Sequence, residues 1–212
     1  PTDARELAHT GAGHHQSFER IMMRRTLQIG GIAAGAVLIA FGIAAIVMSL
    51  NGRSTVSNSL KQEQIVGTPD MTPAGIKTEA QKAGLKNISY PSCSVANTPV
   101  TTGATARCFA QYMQIHALEA TGGFVYSQMG QYLAKPGTPR SQLAPGGGTS
   151  NTKYAQLDSQ TKQPVANGAR NVWITETALS TALNTSYMAG QLALFGIVVG
   201  IALLLSGFGF AI

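Results

Sequence analysis

"QIGGIAAGAVLIAFGIAAIVMSL", Gln28–Leu50, decides the fold. The stretch is almost purely apolar, and no charge occurs from Thr26 to Gly52. About 20 apolar residues cross a hydrocarbon core roughly 30 Å thick, so the run is long enough to span. A secretory leader would hold an apolar region of about 7–15 residues followed by a cleavage site. This run is longer and has 27 residues ahead of it, which predicts an uncleaved helix. A second run, Gln191–Ile212, "QLALFGIVVGIALLLSGFGFAI", meets the same test.

Composition agrees. Only 11% of the 212 residues are charged, against about 25% in soluble domains. The net charge is +6, but no basic cluster is long enough to follow a nucleic-acid backbone. The positive balance therefore points to lipid headgroups and membrane orientation rather than nucleic acid. Arg5, Arg20, Arg24 and Arg25 precede the first span, and short basic flanks stay in the cytoplasm while long loops translocate. Both termini are thus expected in the cytoplasm and segment 53–190 outside. Cys93 and Cys108 both fall in that segment, where a disulfide would persist.

The predicted fold is a mainly α membrane protein. Two transmembrane helices are joined by a mostly helical, loop-rich, disulfide-containing extracytoplasmic domain. The division is a tail at 1–27, a first span at 28–50, a helical domain at 51–134, a flexible or extended linker at 135–168, an outer helix at 169–190 and a second span at 191–212. Phe18, Ile21 and Met22 give the tail an amphipathic lead-in. In "TPDMTPAGIKTEAQKAGL", Thr72 suits an N-cap, Pro73 the first helical position and Gly84 the C′ position. Ile76, Ala80 and Ala83 then share a face. A second helix is expected over 105–120, with Phe109, Tyr112, Met113 and His116 on one stripe. A third is expected over 124–134, with Val125, Met129, Tyr132 and Leu133 inward. Residues 135–168 hold four prolines and a glycine triplet. Ala169–Ile212 has no proline and reads as one helix of about 66 Å.

Glycine spacing suggests how the spans pack. Gly31 and Gly35 form G-x-x-x-G, followed by Ala36, Ala40 and Ala44. Gly196 and Gly200 repeat the motif, and Gly207 continues that face. Small residues let helix backbones approach in lipid.

The sequence is poor in chemistry. It has no Walker loop, H-E-x-x-H, dinucleotide fingerprint or Ser/His/Asp arrangement. His116 is the one histidine of the outer segment, and a non-haem iron site needs two plus a carboxylate. It reads as a core or interface histidine. His9, His14 and His15 offer only a weak metal site on a glycine-rich tail. Cys93 and Cys108 lack further thiols for zinc, so a disulfide is expected. Glu176 is the only charge in the final 42 residues. No catalytic residue, metal site or cofactor is expected.

"VGTPDMTPAGIKTEAQKAGL" with "ARNVWITETALSTALNTSYMAGQLALFGIVVGIALLLSGFGF" resembles a family of small two-pass actinobacterial membrane proteins. These commonly carry the label "aromatic ring-opening dioxygenase, small subunit". The label sits badly with two spans and too few iron ligands. The resemblance implies an actinobacterial plasma membrane and brings no catalytic residue to transfer.

The leading expectation is a non-catalytic accessory or structural subunit of a larger membrane assembly, respiratory or of the cell envelope. Its partners would be other integral membrane subunits and the lipid bilayer, or a second copy. The interface is expected at Val172, Trp173, Leu179 and Leu183, on a helix nearly free of charge whose outer half is covered either by the chain's own 72–134 helices or by a partner. The alternative is a ligand- or lipid-sensing module with a pocket near His116, Tyr112, Trp173 and Glu176. A metal-dependent dioxygenase subunit comes third.

Overall fold

The structure, a computed structural model, describes the backbone from Glu6 and side chains from Met22. The tail histidines His9, His14 and His15, together with Arg5, Phe18, Arg20 and Ile21, lie outside the residues so described. The element order is α1 (Glu6–Gln62), α2 (Pro73–Lys82), α3 (Gly103–Ala120) and α4 (Gly168–Ala211), with single 3-10 turns between α3 and α4. Among the described residues there are isolated β-bridges but no strand. Two of the helices, α1 and α4, are long and apolar enough to cross a membrane. The chain divides into two compact units. One comprises Pro1–Gly52 with Leu192–Ile212, and the other is Arg53–Gln191.

In the first unit α1 and α4 form an antiparallel pair. A Cβ on Gly35 would lie 2.6 Å from the Gly207 carbonyl oxygen, and one on Gly207 would lie 2.8 Å from that of Gly35. Gly42 and Gly200 repeat the relation, each 2.8 Å from the other's oxygen. Gly31 meets Phe210 and Gly196 meets Ser49. All five expected glycines therefore face the other helix. The repeat differs from the one expected, because Gly42 joins the seam while Ala36, Ala40 and Ala44 are exposed. Gly35 and Gly42, like Gly200 and Gly207, are seven residues apart. A seven-residue repeat keeps one face on its partner along a left-handed helix pair, whereas a run of fours rotates away. The outer faces carry Phe41, Val47, Phe195 and Leu205, each at least half exposed. In water such a surface would far exceed the apolar patches soluble monomers tolerate.

In the second unit α2 forms as its sequence predicts. The Thr72 side chain accepts from the Gly75 amide at 3.0 Å, and Gly84 takes φ +68° just past the helix. Ile76 and Ala80 are fully buried, while Ala83 becomes the exposed C-cap. Helix α3 begins two residues before the expected start, where Thr102 and Thr105 form a reciprocal capping box. Its Phe109 and Tyr112 are buried beside Met71, Val95, Val100 and Leu183. The Cys93–Cys108 disulfide, with Cα atoms 6.1 Å apart, ties the preceding loop to α3. The Tyr112 hydroxyl reinforces it by donating to the Cys93 carbonyl at 2.6 Å. Closing a loop of this size stabilises by roughly 3 kcal/mol in the chain-entropy model.

The expected third helix over 124–134 does not form. Gly122 and Gly123 end α3 with φ of +65° and +84°, and only the 3-10 turn Tyr126–Gln128 follows. Tyr132 then bridges both Thr149 and Ala166. Gly130 passes so close to the Gly148–Thr149 backbone that no side chain fits there. The segment expected as a flexible or extended linker makes backbone pairings. Ala134 bridges Ala155, and Leu157 bridges Pro164. The Leu133 amide donates to Val165 and the Gln156 amide to Leu133, at 2.9 and 2.8 Å. Proline and turn residues leave these segments too short for strands, yet their backbone groups still find partners.

Candidate functional site

The outer part of α4 turns its largest side chains toward its own domain. Leu183 is 2% exposed and Trp173 6%. Leu179 packs half-buried against the same core as Leu183. The Trp173 indole donates to the Phe124 carbonyl at 2.7 Å and contacts the Thr121 hydroxyl at 3.3 Å. Close approach at the start of α3 completes this packing. Gly103 lies against the backbone of Ser186 and Tyr187, and the Arg107 guanidinium sits 4.6 Å from the centre of the Tyr187 ring. Of the four residues expected at a partner interface, Trp173, Leu179 and Leu183 are thus covered by the chain itself. Val172 alone remains open, at 37% exposure. The helix keeps a different free face: Ile174, Ala178, Thr181, Thr185 and Met188, spaced alternately by four and three residues, are all exposed. It carries no charge, because Glu176, the only ionisable carboxylate nearby, is turned inward and accepts from Ser180 Oγ at 2.6 Å.

A groove of about 510 Å³ runs between α3 and α4, lined by Met113, His116, Ala120, Val172, Thr175 and Glu176 among others. Two residues of the expected pocket, His116 and Glu176, line it. The other two do not. Tyr112 is sealed in the core on the Cys93 carbonyl, and Trp173 faces the Thr121–Phe124 turn.

His116 has company that its sequence neighbourhood does not announce. Its Nε2 lies 2.8 Å from Asp70 Oδ2 and 3.8 Å from Glu79 Oε2. One donor atom from each of the three residues falls within 4.8 Å of the other two. Each comes from a separate piece of backbone. Asp70 belongs to the turn before α2, where Met71 is buried and its carbonyl accepts from both the Val95 amide and Ser94 Oγ. Glu79 adjoins the buried Ala80 on α2, and His116 adjoins the buried Ile115 and Ala117 on α3. The buried neighbours fix the backbone and leave the polar groups at the rim.

Electrostatics in this cluster is dominated by carboxylates. Burial pushes the Asp70 carboxyl up, but hydrogen bonds from Thr68, from its own backbone amide and from His116 prevail, and it stays below the usual carboxylate range. Glu119, one turn beyond His116, goes the other way. Burial raises it, Glu79 and Asp70 raise it further, and His116 only partly opposes them. Glu119 Oε1 is buried with no hydrogen-bond partner. Burial, and next the Asp70 charge, also raise the Tyr112 hydroxyl. The sequence places His116 alone on its helix stripe, and its nearness to Asp70 and Glu79 is not legible there. Neither stands at a ligand spacing from the histidine, and only the packing of α2 on α3 joins them.

The arrangement can bind a cation or a polar ligand at the rim and an apolar group in the groove. The chain matches no protein-family model, no curated protein and no solved structure.

Proposed function

We propose that the chain is a non-catalytic accessory subunit of a larger membrane assembly, held by two spans and docking through the open face of α4. The observation that carries this reading is that face: Ile174 is 54% and Met188 70% exposed, with Ala178, Thr181 and Thr185 exposed between them. A helix facing water normally carries charges on its outer side. This one carries none, and its four-three spacing suits the seam of another helix. The partner is an integral membrane protein, because the same helix runs on into the apolar segment after Gly190. Arg24 and Arg25 beside the first span favour a cytoplasmic start, and the disulfide favours an oxidising outer compartment for 53–190. That topology accords with the resemblance to two-pass proteins of actinobacterial plasma membranes. Respiratory and cell-envelope assemblies are the settings such a subunit fits.

Thr181→Arg tests the reading. Its side chain is exposed, so the domain should fold and keep its disulfide. Purification from native membranes in mild detergent should recover a defined partner set with the wild type and lose it with the variant. Identical partner sets, or a wild type that purifies alone, would count against the proposal.

The groove between α3 and α4 favours a second reading, a module that senses a lipid or another apolar ligand. Thermal stabilisation of wild type by a lipid or quinone analogue, lost in Val172→Glu, would support it.

A further inference from the structure

We propose that Asp70, Glu79 and His116 form a binding site for a divalent transition-metal ion of the zinc class, with one imidazole nitrogen and two carboxylate oxygens as ligands. The geometry comes first. Ligands about 2.0–2.1 Å from a tetrahedral zinc ion stand about 3.3 Å from one another. The His116 nitrogen is 2.8 Å from Asp70 and 3.8 Å from Glu79, so the distances bracket that value. The third pair, Asp70 and Glu79, stands within 4.8 Å, so the set closes on an ion by side-chain adjustment.

The donor chemistry selects the ion. Calcium and magnesium take oxygen ligands almost entirely, whereas imidazole suits zinc and its neighbours. Three protein ligands leave a fourth position for water. The side chains of His116, Asp70 and Glu79 are 26%, 23% and 41% exposed, so an ion can enter and keep that water.

Charge and an unpaired atom argue independently. A single ion pair would need one carboxylate for one histidine. Here the Asp70 and Glu79 charges both act on Glu119, beside the single His116 imidazole. Glu119 Oε1 is buried without any hydrogen-bond partner, a costly state for a carboxylate oxygen. A dication held by Asp70, Glu79 and His116 offsets the carboxylate charge that acts on Glu119. The bound ion would clasp the Asp70 turn and α2 onto α3, and its role is to stiffen the domain.

Calorimetric titration of the full chain in detergent with zinc chloride at neutral pH tests this. His9, His14 and His15 are first replaced by Gln, so that the tail does not compete. One ion per chain should bind with a Kd in the micromolar range or below, and the melting temperature should rise. Glu79→Gln and His116→Gln should each weaken binding about tenfold or more. Cobalt should bind in zinc's place and give visible absorption bands that both variants lose. Glu79 is the most exposed ligand, so its variant should melt like wild type when metal-free, which separates lost ligation from lost folding. Binding no tighter than about 100 µM, equal affinity in both variants, or a preference for calcium would overturn the proposal.

Discussion

Gly35 and Gly207 face each other so closely that a Cβ on either would press within 3 Å of the other's carbonyl oxygen. At Gly35 the nearest atom is backbone, the Gly207 carbonyl oxygen, so a side chain placed there has nothing flexible to displace first. Close approach of this kind gains dispersion and weak Cα–H···O contacts, the terms that bring helices together in lipid. Gly30, five residues away on α1, meets nothing within 4 Å.

The same substitution at these two glycines should therefore have opposite consequences. Gly35→Leu should separate the pair and destabilise by about 1–3 kcal/mol, the usual cost of overpacking. Gly30→Leu should be neutral or slightly stabilising, because glycine is a poor helix former by up to about 1 kcal/mol. Thermal melts in one detergent compare them directly. Equal melting temperatures would mean that the α1–α4 seam contributes little.

What was legible in the sequence was local. The Thr72–Pro73 start of α2, the Gly84 stop, the disulfide and the unbroken α4 each rest on residues within a few positions of one another. The two long apolar helices rest on length and apolarity. What escaped was distant. Whether 124–134 is helical depends on Gly130 meeting the Gly148–Thr149 backbone, and nothing near Gly130 announces that. Helical spacing at 125, 129, 132 and 133 was present, and the glycine pair before it together with the bridges at Tyr132 prevailed. His116 read as a lone histidine because Asp70, its hydrogen-bond partner, is 46 residues away. Leu183 and Trp173 read as interface residues because a charge-poor helix signals burial without naming what buries it. The covering surface was the chain's own α3 and the turn after it.

Trp173 offers a measure of that covering. Its ring is buried among Ala117, Met129 and Phe124, and its N–H has two acceptors, the Phe124 carbonyl and the Thr121 hydroxyl. Trp173→Ala should destabilise the 53–191 unit by about 3–5 kcal/mol. Trp173→Phe keeps most of the apolar volume and removes the donor, so it should cost about 1–3 kcal/mol. Denaturant unfolding followed by circular dichroism would rank the two. A Phe variant as damaged as the Ala variant would show that the hydrogen bonds, not the buried ring, hold α4 against the turn.

Glu119 carries a pH-dependent penalty in the ion-free protein, and its sign can be worked out. Its carboxyl is raised above its ordinary value of 4.5, first by burial and then by Glu79 and Asp70. Between the ordinary and the raised value the folded state holds more protons than the unfolded one, so stability falls as pH rises through that window. Above the window both states are ionised and the whole penalty is present. Glu119→Gln keeps the shape and carries no charge. With a chelator present, the variant should therefore melt higher than wild type at neutral pH, and the advantage should fade as pH falls to about 4, near the ordinary carboxyl value. Melting curves across that range read the effect directly. If zinc occupies the neighbouring ligands, its charge favours the ionised Glu119, so added zinc should shrink or reverse the variant's advantage. A variant advantage that ignores both pH and zinc would mean that Glu119 is not coupled to the His116 cluster at all.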